Sequence, residues 1–298
     1  MNYYKENLIH MNDFFNFIKN QKKFSLHTIR AYKTDLTQFL DYIGEEKLIT
    51  DINKYDLHEY VITISKNISS KTLSRRIASM KSFFKFLLDE KIISINITKS
   101  IKIPKTEKKL PNYLSKTEIR EFFEKIINEI KISSRDLLII DILYSTGIRV
   151  SECSSIEKQN ISLSKKTIKI MGKGNKNRLV VFGLKTKKNI LDYFNKSKNK
   201  KSKFLFPSLH KSKAGCITSR TIYNIVKKYI KLVSNNEKLG PHSLRHSFAT
   251  HLLQGGSNLM AIKDLLGHES LGSTQIYTHL DTKRMKEVYR KSHPHAKK

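Results

Sequence analysis

The chain is 298 residues long and carries 57 Lys+Arg against 26 Asp+Glu, a formal net charge of +31. That length predicts two domains rather than one, the 39% hydrophobic content supports packed cores, and no stretch approaches the ~18 apolar residues of a membrane span. Two cysteines, Cys153 and Cys216, provide neither a disulfide framework nor a zinc quartet.

The N-terminus MNYYKENLIH lacks the basic-then-apolar layout of a signal peptide, so the chain reads as cytoplasmic with both thiols reduced. The positive charge points to a polyanionic partner, nucleic acid first. It is unevenly spread: 20 basic against 12 acidic residues in 1–110, and 37 against 14 in 111–298. Because 46 of the bases are lysine, biased codon usage is the competing account. The 11 arginines are then the informative ones, since a retained arginine marks a place that needs a planar fork.

Residues 8–43 hold two helical patterns separated by Gln21-Lys22-Lys23-Phe24; the second is capped by Ser25 and buries Ile29, Tyr32, Leu36, Phe39, Leu40 and Ile43. A third helix covers Asn53–Ser65. Ser70 caps a fourth, with Leu73, Ile77, Met80, Phe83, Phe84 and Leu87 as its stripe. Residues 1–99 thus predict a four-helix bundle. Lys71, Arg75, Arg76 and Lys81 lie on or beside the last helix, as a DNA-groove-facing edge or as a solvated polar face.

Residues 100–112 read as a linker, with two prolines and a run of lysines. At ~3.3 Å per residue it reaches ~40 Å, several times the ~12 Å width of a major groove, so two domains could grip opposite faces of a duplex. The second domain, 113–298, opens on the capping box Ser115-Lys116-Thr117-Glu118. A very apolar helix follows from Leu137 and ends near Gly147. Residues 167–182 alternate with period 2 about Gly172-Lys173-Gly174-Asn175-Lys176, a β-hairpin. From Thr218 the pattern is helical again, broken at Gly240-Pro241 and Gly255-Gly256, with a tail helix over 282–292. The fold class is mainly α, with a small antiparallel sheet in the second domain.

The chemistry-bearing residues lie in that second domain. Arg149 follows the Gly147 cap close to the core, with Glu152 three residues on. The two form either a structural ion pair or a phosphate clamp oriented from behind. Lys173 sits between glycines, but strands flank it and the Walker A spacing is absent. It is an exposed turn, or a mobile tip that reaches a groove edge or protonates a leaving oxygen. His242 and Arg245 share one face at a helix N-terminus, where an anion is favoured. His242 and His246 have zinc-ligand spacing but no HExxH glutamate and no third ligand, so no metal is expected. His268 follows Gly267, and Tyr277 lies nine residues further on; taken alone, Tyr277 is as well read as core.

The ordered set Arg149, Lys173, His242-x-x-Arg245, His268 and Tyr277 resembles the tyrosine site-specific recombinase (phage-integrase) family. Its carriers are TGIRVSE, GKGNK, PHSLRHSFATHLLQGG, IKDLLGHESLGSTQIYTH and the ending VYRKSHPHA. The likeness covers essentially the whole chain and is greatest to Xer-type recombinases, because the short N-terminus leaves no room for an arm-binding domain.

The resemblance implies an N-terminal SAM-like core-binding bundle and a catalytic domain. It makes Tyr277 the nucleophile that forms a 3′-phosphotyrosyl bond, with no metal, ATP or other cofactor. Arg149 and Arg245 would bind the nonbridging oxygens, His268 would add a hydrogen bond, His242 would manage the tyrosine proton and Lys173 would protonate the leaving 5′-oxygen, with Glu152 in support. It further implies strand exchange on double-stranded DNA through a Holliday junction, resolving chromosome dimers. The implied assembly is a homo- or hetero-tetramer coupled by C-terminal tails seated in neighbouring protomers, with a paralogous recombinase or a DNA translocase as candidate partners. A mobile-element integrase, a monomeric type IB topoisomerase and a non-catalytic DNA-binding protein are the alternatives.

Overall fold

The structure, a computed structural model, describes residues 3–103, 112–172, 177–197, 201–208, 215–267 and 279–296, without the side chains of 279–284. The chain divides into two compact units, Met1–Lys109 and Leu110–Lys298.

The first unit is a helical bundle of α1 (Tyr4–Asn20), α2 (Leu26–Ile43), α3 (Lys54–Ser65) and α4 (Ser70–Asp89). Its helices start where side chains satisfy the free N–H groups of the first turn. Ser25 accepts from the Thr28 N–H at 3.1 Å, and Asn53 closes a capping box with Asp56. Ser69, not Ser70, caps α4: its extended backbone turns the Oγ onto the Thr72 N–H at 3.3 Å, leaving Ser70 as the first helical residue. The core is aromatic, with the Phe14 ring 5.3 Å from Phe83 and Phe39 5.0 Å from Tyr60. A 3-10 turn, Ile97–Ser100, carries Ile101 into this core at 3% exposure, so the packing of the first unit continues past residue 99. Residues 104–111 of the expected linker lie outside the described residues.

The second unit contains α5 (Lys116–Asn128), α6 (Ser134–Thr146), α7 (Val150–Ser154), β1 (Ile161–Ser162), β2 (Thr167–Met171), β3 (Asn177–Val181) and α8 (Leu184–Lys196). After these come α9 (Ser219–Lys231), α10 (Pro241–Gln254), α11 (Leu259–Leu266) and α12 (His279–Ser292). Every residue from Leu138 to Thr146 is buried, so α6 is the central helix of the unit. The strands run β1-β2-β3, all antiparallel, with Ile170 opposite Arg178. Two-residue β1 and lysine-rich α8 were not among the expected elements.

The tail folds back onto its own unit. Met285 and Tyr289 bury against Val181, Phe248, Leu252 and Ile262. Beyond α12, His293 stacks on the Tyr289 ring at 4.7 Å, and His295 Nδ1 lies 3.0 Å from Asp141 Oδ1 on α6. The seat has gaps where glycines stand: a Cβ on Gly255 would come within 2.6 Å of Ser292, and one on Gly183 within 2.2 Å of the His295 carbonyl oxygen. The seat in a neighbouring protomer implied by the resemblance is therefore not the one this single chain shows. The apolar stripe is too short to stand alone and finds its nearest cover on α10 and α11 of the same chain.

Histidines make this seat pH-sensitive. His251 Nδ1 is 3.0 Å from the Tyr144 hydroxyl, and burial lowers its pKa from 6.5 to about 4; burial and the neighbouring His295 and His251 hold His293 well below its usual value. Asp141, Tyr144, Tyr289 and Lys116 also face the cluster. A base with a lowered folded-state pKa takes its proton first in the unfolded chain, so stability falls as pH drops from about 6.5 toward about 4. Thermal melting should therefore drop between pH 7 and pH 5, above the window in which carboxylates titrate. His293→Phe, which retains the stacking, should flatten that dependence.

Candidate functional site

The site begins at the end of α6. Gly147 closes the helix in the left-handed region, at φ +63°, and the Phe248 ring lies so near that an added Cβ would stand 2.4 Å from it. Buried Ile148 then anchors the turn, and Arg149, with extended backbone, becomes the N-cap of α7. Its main-chain N–H donates to Glu152 Oε2 at 2.7 Å, and its Nη1 donates to Oε1 at 3.0 Å. The side chain remains 38% exposed, so the rest of the fork is open.

Glu152 is 5% exposed and is shared. Arg178 on β3, itself 6% exposed, donates from Nη1 to Oε1 at 2.7 Å and from Nη2 to Oε2 at 2.9 Å. Burial pushes the Glu152 carboxyl up, but the hydrogen bonds and charge of Arg178, with those of Arg149, hold it below the usual carboxylate range. The Arg149–Glu152 contact is a structural pair whose arginine keeps an open face.

Arg178 is the residue that the sequence reasoning missed. The signal was present, because strand alternation puts Arg178 on the inward face with Val180, where a charge requires a partner.

Arg245 sits on the first turns of α10 and reaches across the site. Its Nη1 donates to the Gly147 carbonyl, and its Nη2 to the Leu266 carbonyl at 2.8 Å. Burial and the nearby Arg149 charge pull its pKa down to about 10, with Glu152 opposing and Arg178 adding to the fall. It is therefore a cation at neutral pH. His242 is exposed one turn earlier; His246 is also exposed, with its pKa lowered by partial burial and by the charges of His242 and Arg245. Three guanidinium groups against one carboxylate leave this cluster a formal surplus of two positive charges, at the N-terminus of α10 where an anion is further favoured.

Gly267 caps α11 in the left-handed region, at φ +64°, and a Cβ there would stand 2.7 Å from the Arg178 guanidinium. The chain just before His268 is thus fixed against two arginines, Arg245 through the Leu266 carbonyl and Arg178 through Gly267. Lys173, His268 and Tyr277 lie outside the described residues.

In the first unit, Arg75 and Arg76 are anchored rather than free. Arg75 donates to Asp35 and to the Ala31 carbonyl, and Arg76 Nε stands 3.8 Å from Asp35, whose side chain is 1% exposed. Both hold α4 to α2. Lys71 is exposed and Lys81 half-buried, and neither forms an ion pair among the described residues.

Gly147 links the α6 cap to both arginines, so Gly147→Ala should be costly. Left-handed strain and the Phe248 clash together predict a loss of about 2 kcal/mol or more, read as a shift in denaturant midpoint. The DNA cleavage that the resemblance implies should fall by more than stability alone explains, because the carbonyl that holds Arg245 moves.

Residues 112–284 match the phage integrase family, and residues 11–91 match the phage integrase N-terminal SAM-like domain. The tyrosine recombinase XerC of Thermodesulfovibrio yellowstonii is 37% identical over 295 residues, which cover 97% of each chain. Among solved structures, the XerH site-specific recombinase bound to its difH substrate is 29% identical with a TM-score of 0.66, covering 89% of this chain and 79% of that one. The Tn1549 transposon integrase in complex with transposon right-end DNA shares the fold, with a TM-score of 0.71 at 17% identity, covering 95% of this chain and 98% of that one. The chain therefore belongs to the phage integrase family and is a tyrosine recombinase of the Xer type.

Proposed function

We propose that this recombinase cuts and rejoins double-stranded DNA at a specific site through a 3′-phosphotyrosyl intermediate, and that its role is to resolve chromosome dimers at segregation. The observation that carries the chemistry is the surplus of two positive charges around Arg149 and Arg245. A phosphodiester enters with one negative charge and gains a second as its phosphorus becomes five-coordinate. Fixed guanidinium groups stabilise that increment without reorganising.

In this reading the Tyr277 oxygen attacks the scissile phosphorus while its proton passes toward His242. The new Tyr–O–P bond replaces the P–O5′ bond, and Lys173 gives a proton to the departing 5′-oxygen. Arg149 and Arg245 hold the nonbridging oxygens and His268 adds a donor. Rejoining is the reverse step with a 5′-hydroxyl from the partner duplex, passing through a Holliday junction. The phosphodiester energy remains in the covalent link. Lys71 and Lys81, which form no ion pair among the described residues, are the proposed backbone contacts of the first unit, with Arg75 and Arg76 acting mainly through Asp35.

The cellular role is supported by near-full-length likeness to relatives named XerC. XerH, whose structure is of a pre-cleavage complex with difH, supports specific duplex DNA as the partner. On DNA the tail would exchange between copies, leaving the seat it occupies in the single chain and coupling a tetramer.

Tyr277→Phe should bind the site and form no covalent complex on denaturing gels; a surviving adduct sinks the assignment. Lys173→Ala should be slow on ordinary DNA and recover on a 5′-bridging sulfur, whose thiolate leaves without a proton; absence of recovery removes the general-acid role. Chromosome-wide crosslinking should place the protein at one discrete locus, and scattered occupancy or occupancy at mobile elements would refute dimer resolution. Deletion of 282–298 should abolish synapsis while single-site binding remains.

A further inference from the structure

We propose that Arg178 is a positioning residue for the recombination reaction: it neutralises Glu152, so that Arg149 keeps its open fork and its charge for the scissile phosphate. The inference rests on the phosphate-binding role given to Arg149 above.

The carboxylate geometry leads to it. Each oxygen of Glu152 takes one hydrogen bond from each arginine: Oε1 from Arg178 Nη1 and Arg149 Nη1, Oε2 from Arg178 Nη2 and the Arg149 main-chain N–H. Arg178 covers both oxygens with its two Nη groups, whereas the Arg149 side chain spends one N–H. Remove Arg178 and a carboxylate 5% exposed is hydrogen-bonded by a single cation, Arg149. It then draws the Arg149 guanidinium fully onto itself, or takes a proton and ceases to orient it. Both outcomes withdraw Arg149 from a substrate.

Lysine cannot substitute, because a point charge reaches one oxygen where the fork matches two. Arg178 is also fixed from its other side. Its Nε is buried without a hydrogen-bond partner among the described residues, and the guanidinium packs on the Gly267 backbone where no Cβ would fit. Gly267→Ala therefore disturbs the same group from the opposite face.

The test compares wild type, Arg178→Met, Arg178→Lys and the double variant Arg178→Met/Glu152→Gln. The substrate is a nicked duplex carrying a site selected from random sequence on the immobilised protein. Its scissile phosphate is either normal or replaced by a neutral methylphosphonate. Arg178→Met should bind this duplex as wild type does and cleave it about 10²-fold more slowly, the usual cost of a misplacement near 1 Å. Arg178→Lys should remain more than tenfold slow.

On the methylphosphonate, where no anion needs neutralising, the deficit should shrink below tenfold. Glu152→Gln should restore part of the Arg178→Met loss, because the uncompensated carboxylate is gone. An equal deficit on both substrates, or no rescue by Glu152→Gln, overturns the proposal in favour of a purely structural role. Wild-type cleavage by Arg178→Met overturns it outright. If wild type itself forms no Tyr277 adduct on either duplex, the phosphotyrosyl reading falls and this proposal with it.

Discussion

A single buried carboxylate organises the catalytic half of the molecule. Left alone at 5% exposure, Glu152 would be protonated, since a carboxylate removed from water loses its solvation. Four N–H groups from two arginines keep it ionised, and each imposes a position on the chain. The Arg149 main-chain N–H sets the start of α7. The Arg178 fork sets which face of β3 turns inward, and through Gly267 it sets how closely the end of α11 approaches. Three elements distant in sequence are thereby registered on one side chain.

Arg245 is the second strut, and it bonds to backbone rather than to a carboxylate. Its two donors end on the carbonyls of Gly147 and Leu266, joining the last turn of α6 to the last turn of α11 across α10. Carbonyl oxygens satisfy donors without cancelling charge, so the guanidinium remains a net cation in a partly buried place. The fall in its pKa to about 10 registers that discomfort, and an arriving anion relieves it. Contact with two helix ends also means that Arg245 needs no acidic partner that a phosphate would have to displace.

Local signals in the sequence were legible where their physics is local. Ser25, the Ser115–Glu118 box, the Gly147 cap and the alternation of β2 and β3 each depend on neighbours within a few residues. Ser69 and Ser70 compete for one cap, and only backbone direction decides between them. The charge partners were less legible. Arg75 and Arg76 read as groove-facing or solvated cations, and their anchor Asp35 was not seen because it is 40 residues away in the chain. Arg178 was hidden among lysines of the hairpin, although its inward phase distinguished it. The cis seat of the tail depends on Asp141 meeting His295 across 154 residues, a separation at which periodicity carries no information.

That seat bears on assembly. In the assembly proposed above, Met285, Tyr289, His293 and His295 would meet the same surface whichever copy supplies it, so exchange of the segment between copies would trade like for like. Such an exchange would have almost no intrinsic free-energy difference, and the balance would pass to proximity: free in solution a chain would retain its own tail, whereas copies held side by side on one duplex would present seats at high effective concentration. Connectivity between protomers would then be a property of the scaffold that gathers them, needing no new bond to switch it on.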